Sequence, residues 1–189
     1  MEKPATTNVD IHPLLTRRYS PRAFMDKNVE ASKIQKLIEA ARWSPSASNE
    51  QPWRFVIGIK GKDKIFDIIF QSLVEFNQIW TKTVPVMIVI CAYKLSSKTG
   101  KENPYKYYDT GQAAAHMSIQ AMEEGLWTHQ MGGFDKEKLH TDLNLPPEIE
   151  ILALMAVGYQ GEMDHLPENF QKMEKSGRTR KNVDELVLN

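Results

Sequence analysis

Val84-Pro85-Val86-Met87-Ile88-Val89-Ile90-Cys91-Ala92 is the longest apolar run of the chain. From Val86 to Cys91 it does not alternate between polar and apolar residues. That pattern belongs to a strand buried on both faces rather than to one with a wet side. The run is only about half of the roughly 20 residues that a membrane-spanning helix needs. Working outward, residues 63–80 carry Ile65, Phe66, Ile69, Leu73 and Phe76 on one side, and a long helix is expected there. Residues 108–124 form another, packing through Ala113, Ala114, Met117, Ala121 and Met122 and closing on Gly125 as a C-terminal cap. Ile34, Leu37, Ile38 and Ala41 follow i, i+3, i+4, i+7 spacing, which predicts a helix over 32–43 that Ser44-Pro45-Ser46 ends. Strands are expected at 53–59, just after Pro52, at 126–131 and at 149–159. Short helices are expected at 11–17 and at 135–143, the second starting on Asp135. After Gly161 the chain reads as polar and irregular, with Pro167 and Gly177, up to a final segment at 183–188. The whole of 1–189 reads as one α+β domain, a mixed central sheet flanked by long helices. The polar C-terminal extension of nearly 30 residues is longer than an ordinary terminus and is expected to wrap over a partner subunit.

Composition sets bounds. A chain of 189 residues buries roughly 70% of its unfolded surface and needs no staple. Its single cysteine, Cys91, rules out a disulfide within the chain and fits a reducing compartment. Lysine plus arginine equals aspartate plus glutamate at 24 each, which argues against general attraction to nucleic acid or to anionic membranes. The first ten residues are polar and lack the apolar stretch of a signal peptide, so the expectation is a soluble, cytoplasmic protein.

Familiar catalytic patterns are missing. There is no G-x-G-x-x-G, no phosphate-binding G-x-x-x-x-G-K-[ST], no G-x-S-x-G and no H-E-x-x-H. The five histidines, 12, 116, 129, 140 and 165, have no metal-ligand spacing and read as surface or packing residues. Cys91, inside the most apolar strand, reads as inert. Four polar segments remain. In Arg17-Arg18-Tyr19-Ser20-Pro21-Arg22-Ala23-Phe24, three guanidinium groups offer bidentate donors to a phosphate, or form a solvated basic turn. Residues 44–55, Ser44-Pro45-Ser46-Ala47-Ser48-Asn49-Glu50-Gln51-Pro52-Trp53-Arg54-Phe55, are dense in hydroxyls and amides, or simply connect a helix to a strand. The glycines of Met131-Gly132-Gly133-Phe134-Asp135 can bring backbone N–H groups against a flat ring, or make a tight turn. Gly177-Arg178-Thr179-Arg180-Lys181 is a second phosphate clamp or a solvated tail.

Together and in this order, the four segments resemble the nitroreductase family of flavoproteins over about residues 9–187. The most specific part is Arg18-x-Ser20-x-Arg22-Ala23-Phe24, followed by Ser44-Pro45-Ser46-x-x-Asn49-x-Gln51-Pro52-Trp53-x-Phe55. The resemblance implies an intertwined homodimer with two interfacial FMN sites. It implies an FMN-dependent oxidoreductase that takes hydride from NADH or NADPH at flavin N5. The acceptors would be small electron-poor molecules, nitroaromatics or quinones, reduced by a ping-pong mechanism. A flavin-storing dimer, or a same-fold enzyme of dehalogenation or flavin breakdown, is the alternative. No metal is implied.

Residue by residue, the resemblance places Arg18 and Ser20 at the FMN phosphate and ribityl end, with Tyr19 packing its ring between them and its hydroxyl outward. Arg22 would lie by flavin N1 and O2, and Asn77 by the pyrimidine edge. Arg178 and Arg180 would form the second phosphate clamp. Met131, Gly132 and Gly133 would run against the ring, the two glycines serving the reaction through a main-chain N–H to N5. Pro45, Ser46, Ala47, Asn49 and Gln51 would belong to a loop that borders the partner's flavin. Many members carry a lysine near Trp80; here Lys82 is the nearest, and Trp80 is expected to cover the ring or to line the substrate channel.

Overall fold

The computed structural model describes residues 2–188. Its sheet has four strands, β1 (Trp53–Ile59), β2 (Val86–Tyr93), β3 (Trp127–Met131) and β4 (Ile149–Gly158), in the order β1-β2-β4-β3. Seven α-helices accompany them among the described residues: α1 (Pro13–Arg17), α2 (Ala31–Arg42), α3 (Lys64–Ser72), α4 (Glu75–Thr81), α5 (Lys106–Glu123), α6 (Lys136–Asp142) and α7 (Glu168–Lys175).

All three strand pairings are antiparallel, which corrects the expected mixed sheet for a single chain. β2 and β3 do run parallel to each other, joined by the α5 crossover, as the alternation of elements suggests. They are not neighbours, however, because β4 inserts between them in the opposite sense and turns each contact antiparallel.

The central run behaves as its sequence predicts. Val86, Ile88 and Ile90 face one layer with α2 and α5, through Leu37, Ala41, Ala113, Ala114, Met117 and Ala121. Met87, Val89 and Cys91 face the other, with Phe66 and Ile69 of α3, Trp80 of α4, Leu139 of α6 and Phe170 of α7. The period of two along a strand thus splits one apolar segment between two cores. Small residues on α5 let that helix approach the sheet closely.

The single helix expected at 63–80 is two. It breaks between α3 and α4, where Leu73 forms a bridge with Phe134. Val74 donates its N–H to Gly133 O at 3.1 Å, and Asp135 donates to Ser72 O at 2.8 Å. A main chain that pairs sideways with another segment cannot also continue its helical ladder. The region after Gly161 is more ordered than its composition suggests. α7 seats Phe170 in the core, fully buried, and buries Glu174. At 183–188 only one short 3-10 turn forms, over Val183–Glu185.

Candidate functional site

Two turns and one helix build the site. His12 caps α1 by accepting the Leu14 N–H at 3.3 Å, and α1 ends where Arg18 turns extended. The following residues cross β3. His129 sits under this crossing, its Nδ1 2.8 Å from Pro21 O, and Trp127 meets the Tyr19 ring edge-on, centroids 4.8 Å apart. From the far end of the chain, α7 stops at Lys175 and the next residues fold back over the same place.

Arg18, Tyr19, Ser20, Arg22, Arg178 and Arg180 line one cavity of about 290 Å³, joined by Lys3, Glu174 and Gly177. The sequence-predicted clamps from the two ends of the chain therefore converge. Burial, followed by repulsion from Arg178 and Arg180, lowers the pKa of Arg18. Burial, then repulsion from Arg180, lowers the pKa of Arg178, with Tyr19 opposing the shift. Among the described residues Arg18, Arg178 and Arg180 have no carboxylate partner. Three neighbouring guanidinium groups without a counter-ion repel one another and make the cavity attractive to an anion. Glu174, the carboxylate of the cavity, is committed elsewhere: Oε1 accepts the Arg22 N–H at 3.0 Å and lies 3.9 Å from its guanidinium.

The Arg22 guanidinium also lies 5.9 Å from the Phe76 ring centre on α4, and its Nε is buried with no protein partner. Gly132 and Gly133 follow β3 directly. Neither glycine N–H finds an acceptor within the described residues, whereas Gly133 O accepts from Val74 N and from Asn77 Nδ2 at 3.0 Å. A Cβ at Gly133 would stand 2.8 Å from Asn77 Nδ2 and 3.0 Å from Val74 Cγ2. Only glycine lets the turn lie this close to α4. Asn77 is buried, and its Oδ1 accepts the Trp80 indole N–H at 3.2 Å. Asn77 thus stands behind the glycine turn and holds it. Met131, the last residue of β3, is core.

Two expected placements are corrected. Trp80 neither covers a ligand nor lines a channel: it is 1% exposed, stacked on Phe24 and tilted against His129, whose ring centre is 4.6 Å away. The Tyr19 hydroxyl points inward and accepts a hydrogen bond from Gln160 Nε2. Burial, then the nearby Glu174 carboxylate, pushes its pKa up to about 12. His129 was read only as a packing residue. Burial pulls its pKa down to about 4, so at neutral pH an uncharged imidazole donates from Nδ1 to Pro21 O.

Pro45, Ser46, Ala47, Asn49 and Gln51 lie apart from this cavity. Their loop precedes β1, on the opposite edge of the sheet from β3, about 14 Å away over three strand spacings. It is a built loop. Ala47 N–H donates to the buried Asp109 carboxylate of α5 at 3.1 Å, and Gln51 N–H donates to Ser46 Oγ at 3.0 Å. Ser48, Asn49 and Gln51 take positive φ. Glu50 accepts from Ser96 and Ser97. Pro45 and Asn49 are exposed, Ser46, Ala47 and Gln51 are half-buried, and none of the five lines the cavity.

Among known proteins, the model of the Nitroreductase family matches residues 15–159. An NADH dehydrogenase of Thermus thermophilus is 26% identical over 188 residues, covering 82% of this chain and 88% of that protein. An oxygen-insensitive NADPH nitroreductase of Helicobacter pylori is 36% identical over 85 residues, covering 44% of this chain and 39% of that protein. The structure of an oxidoreductase containing FMN superposes with a TM-score of 0.89 at 28% identity, covering 97% of this chain and 93% of the other. With this match over most of its length, on a fold that joins its two basic segments beside a glycine turn, the chain belongs to the nitroreductase family.

Proposed function

We propose that the protein is an FMN-dependent oxidoreductase that draws electrons from NADH or NADPH and passes them to a small, flat, electron-poor acceptor such as a nitroaromatic or a quinone. The carrying observation is the convergence of Arg18, Ser20, Arg178 and Arg180 on one cavity, where these three arginines have no carboxylate partner among the described residues. A phosphomonoester fits this donor set: planar forks and one hydroxyl match its oxygens, and its charge removes the repulsion.

Bound FMN supplies hydride acceptance from the nicotinamide and its return to the acceptor. The protein's own residues do the rest. Arg18, Ser20, Arg178 and Arg180 hold the phosphate and ribityl end. Arg22 offers a cation, with an unpartnered Nε, to the pyrimidine end of the ring, where it favours negative charge. Gly132 and Gly133 offer main-chain N–H donors to the reacting edge, and Asn77 fixes the glycine turn through the Gly133 carbonyl. His129, uncharged, fixes the crossing at Pro21 instead of moving a proton. With no acid poised at the turn, protons reach the acceptor from water.

The loop with Pro45, Ser46, Ala47, Asn49 and Gln51 serves the partner's site in a homodimer with two interfacial cavities. Its separation from the cavity and the exposure of Pro45 and Asn49 support this. So do the exposed aromatics around it, Trp43, Tyr105, Tyr107 and Tyr108, since such a patch marks an interface.

The test is direct. Purified protein, reconstituted with FMN, should show flavin absorbance, oxidise NADH or NADPH with a nitroaromatic or quinone present, and elute as a dimer. A protein that takes up no FMN from solution would end the proposal.

A further inference from the structure

The cavity has a wall that none of the family-like segments supplies. Lys3 lies before α1, outside the matched residues 15–159, yet it lines the same cavity as Arg18, Arg178 and Arg180. Its position is fixed by the main chain. Ala5 N–H donates to Thr16 O at 2.8 Å, which pins the segment to α1. Arg178 Nη1 donates to Lys3 O at 2.7 Å and to Thr16 O at 2.6 Å. Lys3 answers by donating from Nζ to Ser176 O at 3.1 Å. The segment before α1 and the segment after α7 thus clasp each other through reciprocal bonds, on the rim of the cavity.

The Lys3 ammonium has spent one of its three protons on Ser176 O. It lies 5.4 Å from the Tyr19 ring centre and has no carboxylate partner among the described residues. Hydrogen bonds alone do not require a lysine here, because the clasp would persist through Arg178 and Ala5. The Lys3 ammonium adds a fourth cation to the lining that Arg18, Arg178 and Arg180 share.

We propose that Lys3 is a phosphate-binding residue, the segment before α1 forming the third wall of the cavity and its ammonium engaging the FMN phosphate beside Arg18, Arg178 and Arg180. This rests on the flavin reading above. The occupant it selects is a flavin monophosphate over a flavin without phosphate.

The experiment is titration of the flavin-free full chain with FMN and with riboflavin, followed by flavin fluorescence, for the unsubstituted protein, Lys3→Met and Lys3→Arg. A charge-assisted contact at a partly exposed site corresponds to about fivefold to tenfold in affinity. Lys3→Met should weaken FMN by that factor, leave riboflavin within about twofold, and be rescued by Lys3→Arg. Unchanged FMN affinity in Lys3→Met overturns the role of Lys3 and leaves the flavin reading standing. Equal loss for both flavins also overturns it, because Lys3 would then act only on the fold. No FMN binding by the unsubstituted protein defeats the flavin reading itself, and this inference with it.

Discussion

Acidification should destabilise the fold through His129. Its ring is packed against Trp80 and bonded to Pro21 O, and burial first, then the Arg22 charge, opposes its protonation. In the folded chain its pKa is about 4, against 6.5 for the free side chain. The unfolded chain therefore binds a proton that the folded chain refuses. Above pH 6.5 the two states carry the same charge at this residue and nothing is lost. As pH falls through the window from 6.5 to 4 the unfolded state is favoured, and below 4 the loss is complete. A gap of about 2.5 units corresponds to about 3 kcal/mol in full, of which about 2 kcal/mol is reached by pH 5. Urea unfolding at fixed protein concentration, between pH 7.5 and 4, measures it. The hydrogen-bonded carboxylates with depressed pKa, such as Glu50 and Glu124, lose stability in the same direction, so the reference is His129→Asn, whose side-chain amide stands where Nδ1 donates to Pro21 O but does not titrate. The variant should lose about 2 kcal/mol less than the unsubstituted protein between pH 7.5 and 5. Parallel pH profiles for the two would refute the reasoning.

Three further outcomes are expected. Gly133→Ala places a methyl 2.8 Å from Asn77 Nδ2; it should cost about 1–3 kcal/mol by overpacking and weaken FMN binding, which thermal melting and flavin titration read. Phe170→Ala empties a fully buried site between α7 and the sheet; a loss of about 3–5 kcal/mol is expected in urea unfolding, and a loss below 1 kcal/mol would mean that α7 is not part of the core. The Cys91 thiol, pushed up to about 12 by burial, should resist a thiol reagent at pH 8 in the folded protein and react once denatured; rapid labelling of the native chain would show that β2 opens.

Much of this architecture could be read along the chain because it depends on short-range pattern. The i, i+3, i+4 spacing of Ile34, Leu37 and Ile38 reports an amphipathic helix wherever that helix goes. The apolar run at 84–92 reports burial on both faces, while the phosphate role of Arg18 and Ser20 rests on the family resemblance of the four polar segments taken together. α7 was less visible. Its core contact rests on Phe170 and Glu174, four residues apart in a charged segment, and the charged composition masked that spacing. The break at Leu73 left no strong local signal, since residues 64–81 contain neither glycine nor proline. It exists because Phe134, some sixty positions later, pairs with Leu73.

The amino acids alone settled most of the helix and strand segments, the apolar faces of the sheet and its main helices, and which residues carry cation or hydroxyl donors. They could not say which donors share a cavity. Arg18 and Arg178 meet because α7 is anchored by Phe170 and returns the chain to α1. Trp80, as suitable in composition for a ligand as any residue here, is instead packed against Phe24 and His129, and the hydroxyl of Tyr19 is turned to Gln160. Lys3 lines the cavity because Ala5 N–H bonds to Thr16 O and Arg178 donates to Lys3 O. Local propensity acts over a few residues. Convergence of distant side chains is decided by long-range packing, in which each contact depends on all the others being made.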